Sequence, residues 1–180
     1  MKGIIFTAFL DMSEELYGYK LVDELIEESN LPSKGVYTAI GTYDFSEMET
    51  LLMNLSRKVN APPNSLLETF GKYLFSVLSK TYPYFFARIT TSFDLLISVD
   101  SHIHVEVRKL YPDAELPHFE VTRVAENILW MDYHSDRNMN ALAYGLIQQC
   151  ICHYGEKATI SQQVLEDKQN ATRFEIVIEP

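Results

Sequence analysis

At 180 residues and 47% hydrophobic side chains, the chain is long enough for one domain with a sizeable core, with room for a smaller lobe. Its 11 tyrosines and 10 phenylalanines suit either that core or the lining of a flat apolar pocket. A formal net charge of −10 disfavours binding to a phosphate backbone or an anionic membrane, while suiting a basic partner surface. Cys150 and Cys152 lie too close together to staple a fold, so a disulfide scaffold is excluded and a reducing compartment is expected. Acidic residues at Asp11, Glu14 and Glu15 interrupt the apolar opening, which therefore reads as neither a signal peptide nor a membrane span. A soluble, cytoplasmic protein is expected.

Taken in chain order, residues 2–18 place Ile4, Ile5, Ala8, Phe9 and Met12 at helical spacing. Residues 20–29 repeat the pattern with Leu21, Leu25 and Ile26, and a third helix starts near Ser46. Pro62-Pro63 followed by Asn64 and Ser65 is a helix-start signal, and Tyr82-Pro83-Tyr84 marks the turn after that helix. One long apolar helix then runs through Phe93, Leu96, Ile97 and Ile103 to end near Tyr111-Pro112. After Pro117 the period changes to that of strands, at His118–Val124 and Ile128–Tyr133, with a turn at Glu126-Asn127. A helix over 139–153 and two β-like segments near 157–165 and 172–179 close the chain. The expected class is α+β: a helical part over about 1–60, then a ligating helix, an antiparallel sheet and a long helix over about 61–180.

Two groups of side chains invite chemistry. On a strand, His102 and His104 would share a face and could bind one ion together; on a helix they lie about 200° apart. The steps through Phe93, Leu96, Ile97, Asp100, His104 and Val107 favour the helix, placing His104 on an apolar face with His102 roughly opposite. Periodicity leaves two accounts of His104 open: a core histidine satisfied by a backbone carbonyl, or an axial ligand delivered into an apolar cavity.

The second group is Tyr133, Ser135 and Arg137, which share one side of a strand end. Two hydroxyls and a guanidinium would clamp the carboxylates of a ligand. The competing account is an ordinary polar strand end, with Ser135 or Asp136 capping the next helix. Cys150, Cys152 and His153 diverge around a helix and make a poor chelate, and Glu14-Glu15 and Glu27-Glu28 read as solvated faces. The chain has no glycine-rich phosphate loop, nucleophile elbow or plausible serine triad.

Taken together and in order, the segment Ile103-His104-Val105-Glu106-Val107-Arg108-Lys109-Leu110-Tyr111-Pro112, then Pro117, then Tyr133-x-Ser135-x-Arg137, resembles the haem nitric oxide/oxygen binding (H-NOX) family. That family includes the sensor domain of soluble guanylate cyclase and stand-alone bacterial sensors. The Met1-Lys2-Gly3 opening, Phe70-Gly71-Lys72 and Gly145-Leu146-Ile147 also fit, so the resemblance covers nearly the whole chain.

It implies a b-type haem buried between the helical part and the sheet in a single domain. His104 matches the proximal iron ligand, Tyr133, Ser135 and Arg137 the propionate clamp, Pro117 a proline pressing on the porphyrin, and Ile5 a residue packing against it. Oxygen-binding members carry a distal tyrosine where this chain has Leu142. A partner position, sometimes Asn, is Leu74 here, and one occupied by Trp in some members is Phe9. The resemblance therefore implies an apolar distal wall of Phe9, Leu74, Leu78 and Leu142, and selectivity for nitric oxide, with carbon monoxide also a ligand. Tyr73 and Tyr144 are expected off that face unless a helix is rotated. Some members hold a structural zinc through C-terminal cysteines and a histidine; from Thr159 on this chain has neither, so no zinc is expected.

Since the sensor uses up all 180 residues, the output is expected to pass to a separate histidine kinase or cyclic-di-GMP enzyme rather than to activity of its own. An oxygen sensor on the same fold, a peroxidase-like haem enzyme and a haem-free interaction module are the competing functions. The peroxidase is disfavoured because it needs distal acid and base groups.

Overall fold

The computed structural model describes residues 1–166, 168 and 170–179. Helix α1 (Gly3–Tyr17) is ended by Gly18, whose φ of 85° is open to glycine and lets the chain turn into α2 (Tyr19–Ser29). Left-handed Asn30 stops α2. Helix α3 (Phe45–Val59) starts where the Asp44 carboxylate accepts the Ser46 N–H at 2.8 Å, and stops at left-handed Asn60. Pro63 opens α4 (Pro63–Thr81), as the Pro-Pro signal predicts, and a 3-10 turn follows at Pro83–Phe85.

The long helix expected before Tyr111 is instead three pieces. Helix α5 (Ser92–Ser98) passes through a π-helical turn (Val99–Ile103) into α6 (His104–Leu110). A π turn inserts one residue, so everything beyond it rotates by about 100° relative to an unbroken helix. This corrects the expected common face of Ile97 and His104: Ile97 is 39% exposed, whereas the His104 side chain is 12% exposed and turned inward.

Strands β1 (His118–Ala125) and β2 (Ile128–His134) form a hairpin, helix α7 (Asn140–His153) crosses back, and β3 (Ala158–Val164) and β4 (Ala171–Ile178) complete the sheet. The strand order is β1-β2-β4-β3, all antiparallel, with Met131 opposite Phe174 and Phe119 opposite Tyr133. The α+β expectation therefore holds. One apolar core gathers Phe6, Phe9, Met12, Leu25, Leu51 and Phe70 among the first four helices. The other gathers Phe93, Leu96, Leu129, Met131, Ile147 and Phe174 between α5, α7 and the sheet.

Helices α4 and α7 join the two cores by close contact. A Cβ on Gly71 would strike the backbone carbonyl of Leu142, and one on Gly145 the carbonyl of Glu68. Only glycine permits that approach, which fixes how the two helices frame the space beside them. No helix among the described residues is long and apolar enough to cross a membrane.

Candidate functional site

That space is a cavity of about 850 Å3, large within the ~300–1,000 Å3 typical of ligand sites. Its walls come from the start of α1, from α4, from the α5–α6 run, from β1 and β2, and from α7. Most of the lining is aliphatic or aromatic, so the cavity suits a large flat apolar ligand with polar groups at one edge.

His104 enters it from the first residue of α6. Its Nδ1 lies 3.4 Å from Asp100 Oδ1, one turn earlier. Burial lowers the His104 pKa, against the opposing pull of Asp100, and so favours the neutral imidazole. With the Nδ1 proton directed at Asp100, Nε2 keeps its lone pair for a ligand. His102 is exposed and packs edge-on to Phe85, on the other side of the turn.

Asp100 holds more than His104. Its Oδ2 lies 3.0 Å from His118 Nδ1, and its Oδ1 accepts the Phe119 backbone N–H at 3.3 Å. Burial resists the charge on Asp100, yet the bonds from Phe119, His104 and His118 hold its carboxyl below the usual carboxylate value.

Tyr133, Ser135 and Arg137 all reach the cavity from the end of β2 and the loop beyond it. Tyr133 is buried, and burial raises its phenol pKa against Ser135, the Met139 backbone and Arg137. The Ser135 hydroxyl oxygen accepts the Arg137 N–H at 3.2 Å. The Arg137 guanidinium forms an ion pair with the Glu115 carboxylate and sits 5.3 Å from the centre of the Phe45 ring. Its fork is therefore seen holding a carboxylate at the cavity rim.

Ile5, Leu74, Leu78, Pro117 and Leu142 also line the cavity. Phe9 does not: it is fully buried behind the wall, edge-on to Phe70 at 5.2 Å, so the structure does not bring it to the site. Tyr73 donates to Glu15 on the exterior at 2.8 Å, and Tyr144 packs against Phe174; neither is among the lining residues.

Sequence reasoning missed three features. The phenols of Tyr82 and Tyr111 line the cavity with their oxygens 3.4 Å apart, and burial pushes the Tyr82 pKa up to about 12. Nothing in helical periodicity pairs residues so far apart. Glu115 as partner of Arg137 was equally invisible. Asp100 was legible in principle, because four residues separate it from His104 on one helical face.

A mostly apolar cavity lined by the buried His104 imidazole, by the more exposed His118 and His134, and by a guanidinium with two hydroxyls fits a ligand that is a metallated macrocycle bearing carboxylates. That is the donor set of a haem pocket. The comparisons agree. The family model described as Haem-NO-binding matches residues 2–162, and the chain belongs to that family of haem-binding gas sensor domains. It is similar to the unliganded Fe(II) H-NOX protein from K. algicida, with 44% identity, a TM-score of 0.93, and coverage of 100% of this chain and 97% of that one. It is also similar to the H-NOX protein from S. oneidensis in the Fe(II)NO state, with 26% identity, a TM-score of 0.92 and full coverage of both chains. No curated protein sequence matches the chain.

Proposed function

We propose that this chain is a nitric oxide sensor that holds a ferrous b-type haem through His104 alone and signals to a separate protein. The observation that carries this reading is that one cavity is lined both by the buried His104 imidazole and by the apolar side chains of Leu74, Leu78 and Leu142. Bound there, the haem iron supplies the coordination position at which the gas is captured.

The residues divide the remaining work. His104 anchors the iron, and Tyr133, Ser135 and Arg137 fix the macrocycle's orientation through its carboxylates. Pro117 and Ile5, both in the cavity lining, would pack against it. The three leucines supply no hydrogen-bond donor. Dioxygen bound to iron carries partial negative charge and is retained by a donor, whereas nitric oxide needs none, so this wall favours nitric oxide and also admits carbon monoxide. The S. oneidensis relatives solved in Fe(II)NO and Fe(II)CO states support the same ligand class.

His104 would be the residue that holds the iron, and so the one whose attachment a bound gas would alter. Because His104 is the first residue of α6, a change in its attachment would bear on the position of the start of that helix relative to the Pro117 segment, a local event biasing a two-state element. The output partner, a histidine kinase or an enzyme of cyclic-di-GMP metabolism, would read that movement.

The ultraviolet-visible spectrum of the reduced protein, alone, with nitric oxide and in air, tests cofactor, coordination and selectivity together. A five-coordinate ferrous spectrum, a shift with nitric oxide and no stable oxy form are expected. A stable oxy spectrum would overturn the selectivity and turn attention to the Tyr82–Tyr111 phenols. Unchanged ferrous spectra in His104→Ala, without added imidazole, would overturn the ligand assignment.

A further inference from the structure

We propose that Asp100 is the positioning residue of His104, fixing the imidazole's tautomer and strengthening its donation to the iron. The proposal rests on reading His104 as the proximal ligand.

Asp100 lies within the π turn Val99–Ile103, the irregularity that also rotates His104 inward, and His104 directly follows it. One carboxylate there receives three donors from two elements: His104 Nδ1 at 3.4 Å, His118 Nδ1 at 3.0 Å and the Phe119 N–H at 3.3 Å. The last two come from the start of β1, so they hold the carboxylate at a fixed place relative to the sheet. An Nδ1–H directed at a negative carboxylate excludes the tautomer protonated on Nε2, and it pushes electron density through the ring to Nε2. The iron–histidine bond is thereby made stronger than a neutral acceptor would make it.

Two consequences follow for sensing. The strength of the bond that must yield to nitric oxide is set partly by Asp100, outside the cavity lining. The same carboxylate also ties the start of α6 to β1 immediately after Pro117, so a displaced His104 works against a contact that reaches the sheet.

The test uses the haem-loaded protein and the variants Asp100→Leu, Asp100→Asn and His118→Gln. The iron–histidine stretching band of the ferrous protein, read by resonance Raman, reports bond strength and does not respond to a general loss of stability. We expect the band to fall in frequency in Asp100→Leu and to fall by less in Asp100→Asn, which keeps an acceptor without its charge. His118→Gln, which leaves the charge intact, moves it least. In the nitric oxide complex the equilibrium between His-detached and His-attached forms shifts toward detachment by about 10- to 100-fold in Asp100→Leu. A band unmoved in both Asp100 variants, with folding intact, overturns the inference; should Asp100→Leu not retain haem, Asp100→Asn decides alone. A band that survives unchanged in His104→Ala overturns the ligand reading instead, so the two failures are told apart.

Discussion

Arg137 and Glu115 form an ion pair at the rim of the cavity, with Arg137 Nη1 also donating to the Glu115 backbone carbonyl at 3.4 Å. The guanidinium proposed to hold the ligand's carboxylate is therefore already shared with a carboxylate of the chain. Glu115 lies in the segment between α6 and β1, two residues before Pro117, and its side chain is largely exposed. Ligand carboxylates and Glu115 compete for one fork, which links anchoring of the ligand's edge to the placement of that segment.

Arg137→Ala is expected to weaken haem retention by about 1.5–3 kcal/mol, the worth of a hydrogen bond to a charged group, or roughly 10- to 100-fold in dissociation rate. Glu115→Gln is expected to change retention little or to slow dissociation, because an exposed ion pair is worth only about 0–1 kcal/mol. Haem transfer to an excess of an apo-scavenger measures both. Faster loss from Glu115→Gln than from Arg137→Ala would contradict the competition.

Leu142 and Leu74 contribute apolar surface where a donor would be needed to retain dioxygen. Leu142→Tyr places a phenol in the wall and is expected to create an oxy complex stable for minutes in air, with nitric oxide binding preserved. Absorbance spectra of the reduced variant under air check this. Failure to gain oxygen binding would show that the wall's chemistry is not what sets selectivity.

Much of this arrangement was legible from particular residues. The two-residue offset on a helix separated His104 from His102, and alternation placed Tyr133, Ser135 and Arg137 together. What stayed hidden depended on tertiary contact. The π turn leaves no mark in hydropathy, so Ile97 was put on the wrong face. Phe9 shares a helix with Ile5 and is four residues along, yet Ile5 reaches the cavity and Phe9 packs behind it against Phe70. Tyr82 and Tyr111 meet only because the ends of α4 and α6 converge.

The α4–α7 contact carries its own prediction. A methyl group on Gly145 meets the Glu68 carbonyl, which is backbone and cannot rotate aside. Gly145→Ala is expected to cost about 1–3 kcal/mol, as overpacking does, less whatever the added helix propensity returns. For a chain of this size that lowers Tm by about 2–4 °C per kcal/mol. Because the same helices frame the cavity, the thermal scan is best paired with the ferrous spectrum; an unchanged Tm would show that the helices separate freely.

Stability in acid is expected to depend on Asp132, a buried carboxylate on the sheet. Arg173 donates to both of its oxygens, at 2.6 and 2.8 Å, and Lys168 lies 3.3 Å away. These bonds, Arg173 first, hold the Asp132 carboxyl below its usual value against the opposing effect of burial. A carboxyl whose folded-state pKa is depressed contributes stability that is fully present above its unfolded pKa of about 3.9 and lost as pH falls through the folded value. The wild type should therefore lose stability as pH drops below about 4. Asp132→Asn should be less stable at pH 7, because a neutral amide replaces the carboxylate that accepts from Arg173 and Lys168, and should show a shallower decline in acid. Chemical denaturation at pH 7 and at about pH 3 measures both limbs. Equal acid slopes for the two proteins would assign the acid sensitivity to other carboxylates.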